Sequence, residues 1–179
     1  MANSLFLSLI CAFLLLLLIV VPVSATATIT PHNKLVSKVC HQTSDYSFCI
    51  NSLFSDHRTP EADEYTLAYI SVGLAYLNAT ATRGYVNKLL RRTSSYRRLM
   101  KCSRDYVKAV SALETAYNDL NSETFFELAD LANDAAHAAD NCEVSVQGIR
   151  PPPLGKRNRD LKGLCQICAV VAKLFTGSD

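Results

Sequence analysis

Histidine and carboxylate side chains are the groups that most often transfer protons in enzymes, so their spacing is the first test for a reaction centre. The sequence has neither a G-x-S-x-G nor an H-E-x-x-H motif. Asp130 and Asp134 lie four residues apart, a spacing typical of a solvated acidic stripe on one helical face. The histidines are scattered along the chain, at His32, His41, His57 and His137. We therefore predict that the chain is not an enzyme and has no catalytic residues.

Cysteines could supply redox or metal chemistry, and Cys165 and Cys168 have the C-x-x-C spacing of such sites. A redox pair is expected between a strand and a helix, and a zinc site needs a second Cys or His pair nearby. The sequence around these cysteines has helical spacing and neither feature. We predict buried thiols or a third disulfide there, with no metal and no cofactor.

The beginning of the chain has the pattern of a secretory signal. Leu5 to Val23 is almost entirely apolar, and Val23-Ser24-Ala25 has the small residues that signal peptidase recognises. A membrane anchor is the alternative, because the apolar run is long enough to span a bilayer. Pro22 and the absence of Lys or Arg before Lys34 favour cleavage, so we predict a removed signal peptide at residues 1–25.

The mature segment, residues 26–179, contains six of the seven cysteines. An even number of cysteines in a secreted chain is typical of a disulfide framework. The segment also contains one N-glycosylation sequon, Asn78-Ala79-Thr80, and we predict glycosylation at Asn78.

Apolar residues recur at helical spacing along the mature segment. Two short helices, the first through Val36 and Val39 and the second over 44–54, form an N-terminal hairpin. A long helix opens at Thr59-Pro60-Glu61 and has a seam at Leu67, Ile70, Leu74 and Leu77. Three more seams run over 99–120, 125–146 and 161–175. This pattern predicts an all-α fold, an antiparallel up-down four-helix bundle stapled by disulfides.

The disulfide pairing follows from the helical hairpin. In an antiparallel pair of helices, residues that face each other lie equally far from the turn. Cys102 and Cys142 are each twenty positions from Ser122, and both lie on a seam. We therefore predict a Cys102–Cys142 disulfide, and a Cys40–Cys49 disulfide that closes the N-terminal hairpin. The loop-entropy formula gives about 4 kcal/mol for the long loop and about 3 kcal/mol for the short one.

The charge of the chain excludes one class of partner and indicates another. A net charge of +2 is too small for sequence-independent binding of nucleic acid. The charge is unevenly distributed, however. Residues 83–108 have nine cations and one acid, whereas residues 109–147 have eight acids and no Lys or Arg. Such opposite blocks either form a soluble surface or orient the domain against a charged partner.

The residues around the first cysteine pair resemble a known family. The segment has the pattern C-x₂-T-x₂-Y-x-F-C, in Val39-Cys40-His41-Gln42-Thr43-Ser44-Asp45-Tyr46-Ser47-Phe48-Cys49, and it is similar to the cysteine hairpin of the plant pectin methylesterase inhibitor and invertase inhibitor family. The resemblance spans residues 33–175. Further matches are Asn78–Thr82, Cys102 with Tyr106, Asp140-Asn141-Cys142-Glu143, and 156–160 before the last helix.

The resemblance implies a function. Members of this family are secreted into the apoplast and form a 1:1 complex with a cell-wall carbohydrate enzyme, whose active-site cleft they cover. Some invertase inhibitors have Pro-Lys-Phe at the turn where this chain has Glu123-Thr124-Phe125-Phe126, so pectin methylesterase is the expected target and invertase the alternative. A carrier of small apolar ligands is a more distant alternative. Charge and exposure predict a partner-binding set of Glu123, Thr124, Phe125, Glu127, Asp130 and Asp134.

Overall fold

The computed structural model describes residues 33–92 and 96–177, with only the backbone of Tyr96. The predicted signal peptide lies outside these ranges and stays a prediction. Within them, every regular element is helical, which confirms the all-α fold class. The α-helices are α1 Lys34–Cys40, α2 Tyr46–Leu53, α3 Glu64–Leu90, α4 Tyr96–Asn121, α5 Leu128–Val146 and α6 Gly155–Thr176, with a 3-10 turn at Thr59–Glu61 before α3.

The four long helices, α3 to α6, form the predicted antiparallel bundle. Each packs against its neighbour in sequence, and α3 also packs against α6, which closes the ring. The connections between consecutive helices are short, so neighbours run in opposite directions. In the described parts of the chain, none of these helices combines the length and apolar character needed to cross a membrane.

The predicted seams of α4, α5 and α6 line the core. On α4, every seam residue from Leu99 to Leu120 is buried. The seam of α3 was only half correct, because Leu77 is 65% exposed and the helix instead turns the small residues Ala75, Ala79 and Thr82 inward. Leucine occupies both core and surface positions of helices, so its spacing alone does not show which face of α3 is buried.

Three predicted helix starts differ from the structure. Thr59-Pro60-Glu61 forms a separate 3-10 turn, and α3 begins after Asp63, whose carboxylate accepts a hydrogen bond from the Thr66 N–H at 2.8 Å. Phe125 lies in the turn before α5 rather than in the helix. The apolar spacing predicts that the last helix starts near Asn158, but it begins one turn earlier, at Gly155, and Asn158 is a buried residue within it.

Two disulfides brace the helices. Cys40 and Cys49 link α1 to α2 with a Cα–Cα distance of 5.4 Å. Cys102 and Cys142 link α4 to α5 with a Cα–Cα distance of 4.3 Å. Both pairs are the ones that spacing predicts, and each joins two consecutive antiparallel helices.

The N-terminal hairpin of α1 and α2 rests on α6. The Ser44 hydroxyl donates a hydrogen bond to Gln166 Oε1 at 2.7 Å. The Phe48 ring lies directly over Gly163, where a Cβ atom would be 2.6 Å from ring atom Cε1. Asn33 anchors the other end, because its Oδ1 caps α1 and its Nδ2 donates to the Ala62 carbonyl at 2.9 Å. The hairpin is therefore fixed to the bundle by both polar and apolar side chains.

A polar chain crosses the bundle core between α4, α6 and α5. The hydroxyl of the fully buried Tyr106 donates to Asn158 Oδ1 at 2.7 Å, and Asn158 Nδ2 donates to the Glu143 carboxylate. Burial also raises the pKa of Tyr106 well above its ordinary value. A buried hydroxyl must find a partner, so this chain fixes the relative position of the three helices.

Candidate functional site

The turn between α4 and α5 presents the first half of the predicted partner-binding set. Its backbone is tied to the end of α4, because the Thr124 N–H donates to the Asp119 carbonyl at 2.9 Å and the Thr124 hydroxyl donates to the same oxygen at 3.0 Å. Glu123 has a positive φ of 55°. This left-handed conformation is unfavourable for a residue with a Cβ atom, so the hydrogen bonds of the turn hold the Glu123 backbone in it, and the Glu123 side chain is exposed.

Aromatic side chains from three elements meet beside this turn. The Phe125 ring stacks on Phe175 at the end of α6, with 4.1 Å between centroids and 8° between planes. Tyr65, at the start of α3, contacts both rings edge-on at 5.4 and 5.2 Å. Phe126 follows in sequence and is 84% exposed. We call Tyr65, Phe125, Phe126 and Phe175 the aromatic end.

The second half of the predicted set runs along α5. Glu127 occupies the N-cap position, and Asp130 and Asp134 follow at spacings of three and four residues, all exposed. We call these three residues the acidic row. Asp134 also lines an open groove of about 670 Å³ between α4 and α5, together with Lys108 and His137. At a rise of about 1.5 Å per residue, the row extends about 10 Å from the turn.

The structure thus brings the predicted residues onto one continuous surface, with one difference. Phe125, predicted as a contact, is half-buried in the aromatic cluster, whereas Phe126 carries the exposed ring. The sequence reasoning missed Phe126 and Tyr65. Two consecutive phenylalanines at a turn were the available signal, since adjacent residues cannot both point into the core.

The sequon at Asn78 lies in the middle of α3. The Asn78 side chain is half-buried, and its Oδ1 atom is buried without a hydrogen-bond partner among the described residues. The residue lines a small cleft of about 330 Å³ with the loop that precedes α6. Glycosylation of Asn78 stays a prediction, and an attached glycan would emerge beside this loop.

Cys165 and Cys168 are free thiols buried inside α6. Burial raises the pKa of Cys165 well above its ordinary value and that of Cys168 to about 12. Such thiols remain protonated and unreactive in the folded protein. Across residues 33–92 and 96–177, no group of three or more His, Cys, Asp or Glu side chains is placed to hold a metal ion.

Curated proteins with similar sequences are enzyme inhibitors by name. A pectinesterase inhibitor of Actinidia deliciosa is 31% identical over 182 aligned positions, which cover 99% of this chain and 96% of the relative. The cell wall / vacuolar inhibitor of fructosidase 2 of Arabidopsis thaliana is 29% identical over 168 positions, covering 87% of this chain and 93% of the relative.

Solved structures have the same fold. A crystal structure of a mutant form of a pectin methylesterase inhibitor from Arabidopsis superimposes with a TM-score of 0.71 at 21% identity, covering 79% of this chain and 97% of that one. The family model described as plant invertase/pectin methylesterase inhibitor matches residues 34–171. Together, the match over most of the chain, the paired cysteines and the helical bundle show that this chain belongs to the plant invertase/pectin methylesterase inhibitor family.

Proposed function

We propose that this chain is a secreted inhibitor of pectin methylesterase that acts by forming a 1:1 complex over the active-site cleft of the enzyme. The observation that carries the proposal is the similarity, over 99% of the chain, to a protein named pectinesterase inhibitor. The architecture supports it, because a bundle braced by two disulfides loses little conformational entropy when it binds.

The aromatic end and the acidic row form the contact surface in this proposal. Exposed aromatic side chains are the residues that most often anchor protein interfaces. Phe126 is 84% exposed and Tyr65 is 53% exposed, so both rings can enter a pocket of the partner. The stacked Phe125 and Phe175 rings pack against Tyr65, while the carboxylates of Glu123 and the acidic row select a partner surface with positive charge.

The test is a titration of purified pectin methylesterase with the mature chain, residues 26–179. We expect methyl-ester hydrolysis to stop at one equivalent of the chain, with a single 1:1 species in gel filtration. Heat-unfolded chain is the control for adsorption. Full esterase activity at micromolar excess of folded chain would contradict the proposal.

A fructosidase is the second candidate target, favoured by the Arabidopsis relative named as an inhibitor of fructosidase. The same titration with purified cell-wall and vacuolar invertase separates the two candidates. We expect no inhibition of either invertase at concentrations that block the esterase. Inhibition of invertase alone would transfer the proposed function to that enzyme.

The place of action in this proposal is the cell wall. The predicted signal peptide supports it, and so do the two disulfides, which form in oxidising compartments. Expression in plant cells should yield secreted protein that begins at Thr26, and mass measurement before and after deglycosylation reports on Asn78. Retention of residues 1–25 in the mature protein would contradict the cleavage site.

A further inference from the structure

The first half of α4 has a row of cations on one face that the inhibitory surface does not use. Arg97, Lys101, Arg104 and Lys108 follow one another at spacings of four, three and four residues, and all four are exposed. At about 1.5 Å per residue, they form a line about 16 Å long. We call these four residues the basic stripe. Lys88, Arg91 and Arg92 are exposed at the same end of the bundle, where α3 ends.

Carboxylates do not neutralise the basic stripe within the described part of the chain. The ion pairs found there involve Arg58, His57, Lys156 and Lys162, and none of them includes a residue of the stripe. The acid inside this segment, Asp105, is only 6% exposed and points away from solvent. The stripe therefore makes no ion pair among the described residues, and the single carboxyl group of Asp105 near Lys101, Arg104 and Lys108 leaves it with an excess of positive charge.

The stripe also opposes the stability of its own helix. Like charges at spacings of three and four residues repel each other on a helix surface. The first turn of α4 contains Arg97 and Arg98 and no acidic residue, so cations lie at the positive end of the helix dipole. Because ion pairing and the helix dipole do not favour these charges, an external anion bound along the stripe would stabilise the helix that carries them.

We propose that the basic stripe binds a linear polycarboxylate, the de-esterified polyuronate of the cell wall. The inference rests on the proposed function, because hydrolysis of a methyl ester by the target enzyme leaves one carboxylate on each processed sugar. A line of cations on a straight helix matches a line of such carboxylates. The partner is therefore the product of the inhibited reaction.

The position of the stripe leaves the aromatic end free. The stripe lies in the N-terminal half of α4, whereas the aromatic end lies beyond its C-terminal residue, Asn121. Lys108, the stripe residue nearest to that end, lies about 20 Å from Asn121 along the helix and lines the groove that also contains Asp134 of the acidic row. One molecule can therefore hold the polymer and the enzyme at once, which raises the effective concentration of the inhibitor where the enzyme has acted.

The test is a binding isotherm of the mature chain on immobilised polygalacturonate and on the same polymer fully methyl-esterified. The stripe variant is Arg97→Gln/Lys101→Gln/Arg104→Gln/Lys108→Gln. The matched control removes four exposed cations elsewhere, Lys34→Gln/Lys38→Gln/Arg159→Gln/Lys173→Gln. We expect the stripe variant to bind polygalacturonate about tenfold or more weakly than the wild type, and the control to lose much less.

Several outcomes would overturn the proposal. The first is an equal loss of affinity for polygalacturonate in the stripe variant and the control variant. The second is binding of the wild type to the methyl-esterified polymer as tightly as to polygalacturonate, and the third is tighter binding of the wild type to anionic phospholipid vesicles than to polygalacturonate. Unfolding midpoints of all three proteins verify that the variants fold. Polymer binding is measured without the enzyme. Loss of polymer binding with intact inhibition of soluble esterase would therefore contradict only this inference, and loss of inhibition with intact polymer binding would contradict only the proposed function.

Discussion

At the scale of single residues, Phe126 is the side chain on which the proposed inhibition depends most. Its side chain is 84% exposed, so the ring contributes almost nothing to the free energy of unfolding of the monomer. We expect Phe126→Ala to weaken inhibition of the esterase by about 2 kcal/mol, roughly 30-fold, with no change in the unfolding midpoint. Inhibition constants and thermal unfolding measured on the same samples provide the check.

The matched control for Phe126 is Leu77→Ala. Leu77 is 65% exposed on α3, away from the aromatic end, and it offers a similar apolar area to solvent. This variant should inhibit as the wild type does. If both substitutions weaken inhibition equally, the loss reflects surface hydrophobicity in general and not an anchor at the α4–α5 turn.

Asp105 has a buried carboxyl group whose Oδ2 atom has no hydrogen-bond partner in the described structure. Burial raises the pKa of Asp105, although nearby Lys101, Lys108 and Arg104 oppose the shift. The folded protein therefore binds this proton more tightly than the unfolded chain does. The tighter proton binding by Asp105 contributes its whole share to the free energy of unfolding below the ordinary pKa of 3.8. This contribution is lost as the pH rises through the raised pKa of the folded protein.

The variant Asp105→Asn removes this titration and keeps the size of the side chain. We expect the variant to be more stable than the wild type at neutral pH, by about 1 kcal/mol, with the difference shrinking as the pH approaches 4. Urea unfolding over a series of pH values measures it. Parallel stability curves for the two proteins would show that the carboxyl group is ionised to the same extent in both states.

At the scale of elements, the contact between Phe48 and Gly163 holds the N-terminal hairpin on α6. A Cβ atom at residue 163 would lie 2.6 Å from the ring, so Gly163→Ala must displace the Phe48 side chain from its packing on α6. We expect the free energy of unfolding to fall by about 1–3 kcal/mol, although alanine favours a helix. The control is Gly73→Ala in α3, where no atom lies within 4 Å of the added carbon and stability should rise by about 1 kcal/mol.

Much of the arrangement of the helices could be predicted from the sequence, because it depends on the local spacing of apolar residues. Every seam residue of α4 is buried, and the equal distances of Cys102 and Cys142 from Ser122 gave the disulfide of the hairpin. Periodicity failed at Leu77, since a surface helix position and a core position can both hold leucine. The small inward residues Ala75 and Ala79 were the better guide to the buried face of α3.

The aromatic end could not be predicted because its contacts join distant parts of the sequence. Tyr65, Phe125 and Phe175 meet only when the ends of α3, α4 and α6 come to the same level of the bundle. The acidic row, in contrast, follows from the sequence alone, because residues at spacings of three and four lie on one helix face. Sequence reasoning therefore found the charges of the site and missed its exposed ring.

At the scale of the whole molecule, the segregated charges act on the encounter with the partner. Residues 109–147 have eight acids without Lys or Arg, and the acidic row lies in this block. We expect Asp130→Asn/Asp134→Asn to slow association with the esterase by about threefold and to leave dissociation almost unchanged, since edge charges mainly steer the approach. Surface plasmon resonance at low and high salt measures both rates.

The control for this prediction is Glu114→Gln, which removes an exposed acid from α4 outside the acidic row. Its association rate should match that of the wild type at every salt concentration. A larger effect on dissociation than on association in the double variant would mean that these carboxylates make direct bonds in the complex.

The two buried thiols of α6, Cys165 and Cys168, determine whether the protein recovers after it unfolds. In the folded protein, these thiols are protonated and buried. Unfolding exposes them, and the thiolates that then form can attack the two disulfide bonds. A sample heated at neutral pH should therefore shuffle its sulfur bridges and fail to recover on cooling, whereas Cys165→Ala/Cys168→Ala should refold. The working lifetime of the protein is then governed by how often α6 unfolds locally.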